Sequence, residues 1–273
     1  MTKESVKSDS VVRAYSQPGI FVSIDFDGTV TDLDITDAVI KEFASIQWED
    51  IEYQWEKGVI GSRQCLSRQM ALINSPLPEI LSYVHTFSVN KSFPDFVEFL
   101  RAFNIAFSIV SDGFQPFIEV LLAKAGLKDV PVYANQLIES ANGLKAIFPY
   151  SSDRCSSGVC KCAITERLIG AASLIAGAAA PYGRWGNNLP VIHIGDGRSD
   201  FCLAHRAAYV FARGKLAQYC KLNLIPHCAF TDLAAVRSSF DPSTIETHLK
   251  TFIENRYLTW TQPPYTPQIL ERN

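Results

Sequence analysis

Asp25 and Asp27 stand two residues apart in the stretch DFDGT, at the end of the apolar run GIFVSID. Asp196 and Asp200, in GDGRSD, follow another apolar run, VIHI. Carboxylates gathered at strand ends make an all-oxygen site suited to Mg²⁺, a hard cation. Such an ion neutralises phosphate charge and lets one anion attack another. Ser111, in the SDG that closes IAFSIV, can donate its hydroxyl hydrogen to a phosphate oxygen. Backbone N–H groups of that loop can add to it, given the conformational freedom of glycine. Lys161, near a helix start, supplies a cation. A lone DxD is a weak signal, because acidic loops are common. Its position directly after a buried strand gives it weight.

These residues can meet only if the elements carrying them converge. GIFVSID, IAFSIVSDG and VIHIGDG are short apolar runs rich in β-branched residues, which read as buried strands. Helical patterns lie between them. Asp34-Ile-Thr-Asp37 resembles a helix start, and Ile35, Val39 and Phe43 follow at helical spacing. Leu66, Met70 and Ile73 form one stripe; Ile80, Leu81, Val84 and Phe87 form another, with Ser75-Pro76 and Pro78 between them. Pro94 opens a helix carrying Phe96, Phe99, Leu100 and Phe103. Residues 116–125 form the next, which stops at Gly126. VYAN and KAIF are short strands with Asn142-Gly143 as a hairpin turn. A helix begins near Val159 and runs into an Ala-rich stretch, and residues 171–190 read as its extension and a loop. AYVFA and CAFTD add strands, and residues 242–255 a last helix.

Strands alternating with helices argue for an α/β fold, a doubly wound parallel sheet covered on both faces. Ligands of such sheets bind at the carboxyl ends of the strands. Residues 1–18 read as a flexible lead, 19–32 and 91–258 as the catalytic core, 33–90 as a small helical insert, and 259–273 as an irregular tail.

The 273 residues and 47% hydrophobic content suffice for one sizeable core with a modest insert. A net charge of −3 without a long basic run offers nothing to a nucleic-acid backbone, so a small molecule is the expected partner. No apolar run reaches the roughly 18 residues of a membrane span, and the polar start lacks a signal-peptide core. Seven cysteines, an odd number, fit a reducing compartment better than a disulfide framework. A cytoplasmic enzyme is expected, with homodimerisation an open option.

DFDGT, SDG, a lysine and GDGRSD, in that order, resemble the four motifs of the haloacid dehalogenase (HAD) superfamily, from about residue 20 to 212. The helical insert resembles the cap of the phosphoserine phosphatase-like branch. The resemblance implies a Mg²⁺-dependent phosphatase acting on a small phosphorylated metabolite. Asp25 would be the nucleophile and form an aspartyl-phosphate. Asp27 would act as general acid and then general base. Asp25, the backbone carbonyl of Asp27 and Asp196 would hold Mg²⁺, with Asp200 a more distant or water-mediated metal partner. Ser111 and the Asp112 N–H would hold the phosphoryl group, and Lys161 would tie it to the nucleophile. On residue type alone Ser111 also reads as a turn cap, Lys161 as a solvated lysine and Asp200 as a helix N-cap.

CSSGVCK, with Cys155, Cys160 and Lys161, resembles the cysteine-containing lysine motif of 2-hydroxy-3-keto-5-methylthiopentenyl-1-phosphate phosphatases and of phosphoethanolamine/phosphocholine phosphatases. Phosphoserine fits less well. That branch has a glutamate in the position of Asp34 and a cap arginine in that of Gln69, with Arg68 and Arg63 the nearest arginines. Asp34, Arg63 and Arg68 are therefore candidate substrate contacts.

Cys155, Cys160 and Cys162 are three close thiols, without the CxxC pair or histidine that completes a zinc site. They read as structural thiols or a reversible redox pair, and Cys65, Cys202 and Cys220 as small core residues. Trp48, Tyr53 and Trp55 read as packing within the insert or as the lining of a substrate pocket, and His193 as a packed, hydrogen-bonded strand residue. Two rivals stand beside the phosphatase: a phosphoryl transferase of the same fold, and a non-catalytic module binding Mg²⁺ or a phospho-ligand. A binding module has no need for a second acid two residues from the nucleophile.

Overall fold

The computed structural model of the chain describes residues 20–140, 143–175 and 190–240. Its strands are β1 (Phe21–Ile24), β2 (Ala106–Phe114), β3 (Val132–Ser140), β4 (Gly143–Ile147), β5 (Val191–Gly195), β6 (Tyr209–Ala212) and β7 (His227–Ala229). They form one 7-stranded sheet in the order β4-β3-β2-β1-β5-β6-β7. Every pairing is parallel except the β3–β4 hairpin. The strand order reverses at β1, which opens a crevice beyond its carboxyl end.

Helices α1 (Ile35–Phe43), α2 (Trp48–Glu56), α3 (Ser62–Met70), α4 (Leu77–Val84) and α5 (Phe93–Ala102) come between β1 and β2. Then follow α6 (Gln115–Lys124), α7 (Lys161–Ile175), α8 (Phe201–Ala204), α9 (Gly214–Leu222) and α10 (Leu233–Ser238).

The two-residue period of the strands feeds two helical layers. Val22, Ile24, Ile109, Ile192, Ile194 and Phe211 share the main core with residues of α1, α4, α5, α6 and α10. The alternate residues serve the other face. Phe21 and Val191 pack on Ile169 of α7, Val110 on Ile164, and Val210 and Ala212 on Leu216 and Cys220 of α9. Each such buried aliphatic side chain contributes roughly 1.5–3 kcal/mol. The same alternation puts His193 on the α7 face.

The sequence-based expectations differ from the structure at a few boundaries. The helix expected near Val159 begins at Lys161, and the two preceding N–H groups find partners outside it. Val159 N–H donates to Asp112 Oδ1 and Cys160 N–H to the Tyr150 carbonyl. The VYAN strand runs on to Ser140, sustained by its antiparallel pairing with β4. Helix α9 was not legible as a helix: it buries only Leu216 and Cys220, too thin a stripe to stand out. The lead at 1–18, Asn142 of the hairpin turn, positions 176–189 of the Ala-rich stretch, the helix at 242–255 and the tail at 259–273 lie outside the described residues. No helix among the described residues is long and apolar enough to cross a membrane.

The helices after β1 are fastened to the edge hairpin. Leu144 N–H donates to the Ile73 carbonyl at 3.3 Å, and Leu77 N–H to the Glu139 carboxylate at 2.8 Å.

Candidate active site

Strand β1 ends at Ile24 on the main-core side, so Asp25 turns toward α7. Lys161, the first residue of α7, is fully buried there. Its Nζ lies 2.7 Å from Asp25 Oδ1 and 2.5 Å from Asp200 Oδ1. Asp200 Oδ1 also meets His193 Nε2 at 2.9 Å, and its Oδ2 accepts the N–H groups of Asp196 (3.1 Å) and Gly197 (2.9 Å). The Asp200 side chain makes no capping bond to α8, so its role is to brace the lysine and the loop after β5.

Asp25, Asp196 and Asp200 bring one carboxylate oxygen each within 4.8 Å of one another. Both oxygens of Asp200 are already engaged, which leaves Asp25 and Asp196 as the carboxylates open to a cation. The close approach depends on Gly28, whose φ is +70° and whose added Cβ would stand 2.4 Å from Asp196 Oδ2. Thr29 donates its hydroxyl to Asp196 Oδ1 at 3.2 Å.

The charge balance supports a cation there. Two buried acids, Asp25 and Asp200, and the half-buried Asp196 surround one lysine. Burial, then repulsion from Asp200, raises the Asp25 carboxyl well above the carboxylate range, against the pull of Lys161. Burial and Asp200 likewise push Asp196 up to about 6. For Asp200 burial opposes the charge, but Lys161 and His193 overcome it and hold the pKa below the ordinary value. Lys161 stays protonated because Asp200 and Asp25 outweigh its burial. A divalent ion between Asp25 and Asp196 would offset the remaining repulsion, and an all-oxygen donor set fits Mg²⁺.

Asp27 has different partners. Its Oδ1 accepts the Ile35 N–H at 2.8 Å and its Oδ2 the Thr36 hydroxyl at 3.4 Å. Burial, then Asp34, raises its pKa well above the usual range. Gly113 brings the β2 loop against it: an added Cβ would lie 2.4 Å from Asp27 Oδ2 and 3.2 Å from Ser111 Oγ.

Ser111 sits where the β2–β3 register shifts, between Val110 and Phe114. Such irregularities re-aim side chains. Its buried Oγ accepts the Gly113 N–H at 3.0 Å. The Asp112 carboxylate accepts the Ser62 hydroxyl at 2.5 Å and the Val159 N–H at 2.8 Å. Asn135 donates to the Asp112 carbonyl at 2.5 Å. Sequence reasoning passed over Asn135 and Ser62; a polar residue in the otherwise apolar start of β3 was the available signal.

Residues of the insert are tied mainly to the chain itself. Asp34 caps α1 by accepting the Asp37 N–H at 2.8 Å. Arg63 donates to the Cys155 carbonyl at 2.9 Å and Arg68 to Gln54 Oε1 at 2.9 Å. Gln69 is buried and donates to Glu52 at 2.9 Å. Trp48 packs against the main core as expected, whereas Tyr53 is exposed. Trp55 faces two cations, Arg198 at 5.2 Å and Lys215 at 5.6 Å from its ring centre, which joins α2 to the loop after β5. Cys202, expected as a small core residue, packs against the buried cluster of Cys160, Cys162 and Leu203, with Cys155 beside it.

Residues 20–222 match a family described as Putative Phosphatase. A 2-hydroxy-3-keto-5-methylthiopentenyl-1-phosphate phosphatase from Brevibacillus brevis is 31% identical over 211 residues, spanning 76% of this chain and 88% of that protein. Its namesake from Geobacillus kaustophilus is 29% identical over 211 residues, with the same shares of 76% and 88%. A phosphoserine phosphatase solved with a phospho-aspartyl intermediate analogue superposes with a TM-score of 0.60 at 16% identity, over 82% of this chain and 100% of that one, which shows a common fold. The chain thus belongs to the Putative Phosphatase family, as a phosphoric monoester hydrolase with a HAD-like fold.

Proposed function

We propose that the chain hydrolyses a small phosphate monoester through an aspartyl-phosphate on Asp25. The observation that carries this reading is the division between the two acids of the β1 loop. Asp25 shares an ion pair with Lys161 beside Asp196. Asp27 is held apart by Ile35 and Thr36, with a raised pKa.

An Asp25 oxygen attacks phosphorus, and the bond from phosphorus to the alcohol oxygen breaks. Asp27 gives its proton to the departing oxygen, then takes one from the water that attacks the aspartyl-phosphate. Inorganic phosphate leaves and Asp25 is restored. Ser111 and the Asp112 N–H hold the equatorial oxygens, and Lys161 offsets their charge. Asp25, Asp196 and the Asp27 carbonyl would hold Mg²⁺, which would neutralise phosphate charge.

Residues 33–90 act as a cap that excludes water and selects substrate. The contacts of Ser62 with Asp112 and of Trp55 with Arg198 support that assignment. Buried, uncharged Gln69 offers no cation to an amino-acid carboxylate. 2-Hydroxy-3-keto-5-methylthiopentenyl 1-phosphate, named in the relatives, therefore heads the substrate series, ahead of phosphoethanolamine, phosphocholine and phosphoserine.

The test is phosphate release from that series, with and without a Mg²⁺ chelator, together with hydroxylamine trapping of the acyl phosphate. Undiminished turnover by Asp25→Asn would overturn the mechanism. A phosphorylated acceptor formed in place of inorganic phosphate would reassign the chain as a transferase.

A further inference from the structure

Strand β2 is distorted where it reaches the site. Val110 pairs with Tyr133 and Phe114 with Asn135, so four steps along β2 face two along β3. The extra residues, among Ser111, Asp112 and Gly113, interrupt the ladder, and their backbone groups need other partners. Asn135 supplies one from its side chain. Its Nδ2 donates to the Asp112 carbonyl at 2.5 Å and, more weakly, to Asp112 Oδ1 at 3.4 Å. Asparagine is depleted in strands, yet this one is fully buried at the point where β2 and β3 come back into register.

The contact is closed from behind. An added Cβ at Gly158 would stand 2.7 Å from both polar atoms of the Asn135 amide and 2.8 Å from Asp112 Oδ1. Only the nitrogen end of an amide can face a carbonyl, which fixes the orientation of the group. Its Oδ1 meets no donor among the described residues, so the bonds to Asp112 are what orient the amide.

We propose that Asn135 is a positioning residue for the phosphoryl group and acts through Ser111, whose phosphate-binding role, proposed above, it presupposes. In a trans peptide the C=O and the following N–H point opposite ways. Holding the Asp112 carbonyl to Asn135 therefore turns the Gly113 N–H to the other side, where it donates to Ser111 Oγ at 3.0 Å. A hydroxyl that accepts there keeps its one hydrogen for another acceptor, which in the proposed reaction is a phosphate oxygen. The same peptide borders the proton donor, since an added Cβ at Gly113 would lie 2.4 Å from Asp27 Oδ2. Without the Asn135 amide this peptide can rotate, the Gly113 N–H leaves Ser111, and the hydroxyl is no longer aimed.

The test is a double-variant cycle on the full chain, read as kcat/KM for an aryl phosphate with Mg²⁺ and as affinity for inorganic phosphate. Ser111→Ala should lower kcat/KM by roughly 100-fold and Asn135→Ala by more than about tenfold. The double variant should fall no more than about twofold below Ser111→Ala, because the two residues act as one unit. Affinity for inorganic phosphate should follow the same pattern. A residue that serves folding alone would give losses that multiply. Amide hydrogen exchange needs no Asn135 variant and so survives a failure of that variant to fold. The Gly113 N–H of the unaltered chain should exchange at least about tenfold more slowly than that of Ser111→Ala. Multiplying losses, an unchanged kcat/KM in Asn135→Ala, or an unprotected Gly113 N–H would overturn the role of Asn135, while a costly Ser111→Ala left the proposed function standing. Full turnover and full phosphate affinity in Ser111→Ala would instead sink the phosphate-binding role of Ser111, and the role of Asn135 with it.

Discussion

The carboxylate cluster and the thiol cluster both draw on the start of α7 and the turn after β5, yet they are opposites in chemistry. On one side, buried acids crowd a single lysine, and most are held away from their ordinary pKa values. On the other, four free cysteines pack with Leu203 and Ala163, Cys155 and Cys202 partly open to solvent and Cys160 and Cys162 buried. The difference teaches that a short stretch such as Cys160-Lys161-Cys162 can face two environments at once, because neighbouring residues leave the backbone in different directions.

The sharpest way to break this comparison is to change one cluster and read the other. Asp25→Asn should lower turnover of an aryl phosphate by at least roughly 10⁴-fold, as removal of a nucleophile does, with thermal stability retained. Asp27→Asn should cost roughly 10³-fold in phosphate release, as expected for a lost proton donor, while Mg²⁺ dependence remains. Single-turnover kinetics would separate the two variants.

Asp200→Asn tests the brace between the clusters. Removing one partner of a buried ion pair costs about 3 kcal/mol or more, measured by denaturant unfolding. The folded pKa of Asp200 lies below its ordinary value. Its contribution is therefore complete above the ordinary carboxylate range, near about pH 4, and is lost as the pH falls through the lower folded value. The stability gap between the two proteins should be widest at neutral pH and narrow in acid. Ser62→Ala removes one hydrogen bond to a carboxylate and should cost about 1 kcal/mol, with a larger relative effect on substrate KM than on unfolding.

Much of the oxygen side was legible in the sequence. Asp25, Ser111 and Asp196 each follow a buried run, and parallel strands deliver such ends to one edge. The fate of Asp200 was not legible: a carboxylate opening a helix reads as a cap, and only the fold brings Lys161 and His193 to it. The sulfur side was half legible. Cys155, Cys160 and Cys162 are close in sequence, but Cys202 joins them through the packing of α7 against α8. Periodicity carries no signal of that long-range contact. Asn135 and Ser62 escaped notice for the same reason, since their partner Asp112 lies on a different element from either.

The bonds of Asp112 have a mechanical consequence. Ser62 opens α3, Val159 leads into α7, and both end on one carboxylate of the SDG loop. Any outward tilt of α3 must therefore unlatch a bond to the residue next to Ser111. Tilting the helical layer and slackening the SDG loop are thereby coupled, so under the proposed function the admission of a ligand and the stiffness of the loop proposed to receive it would be geared together.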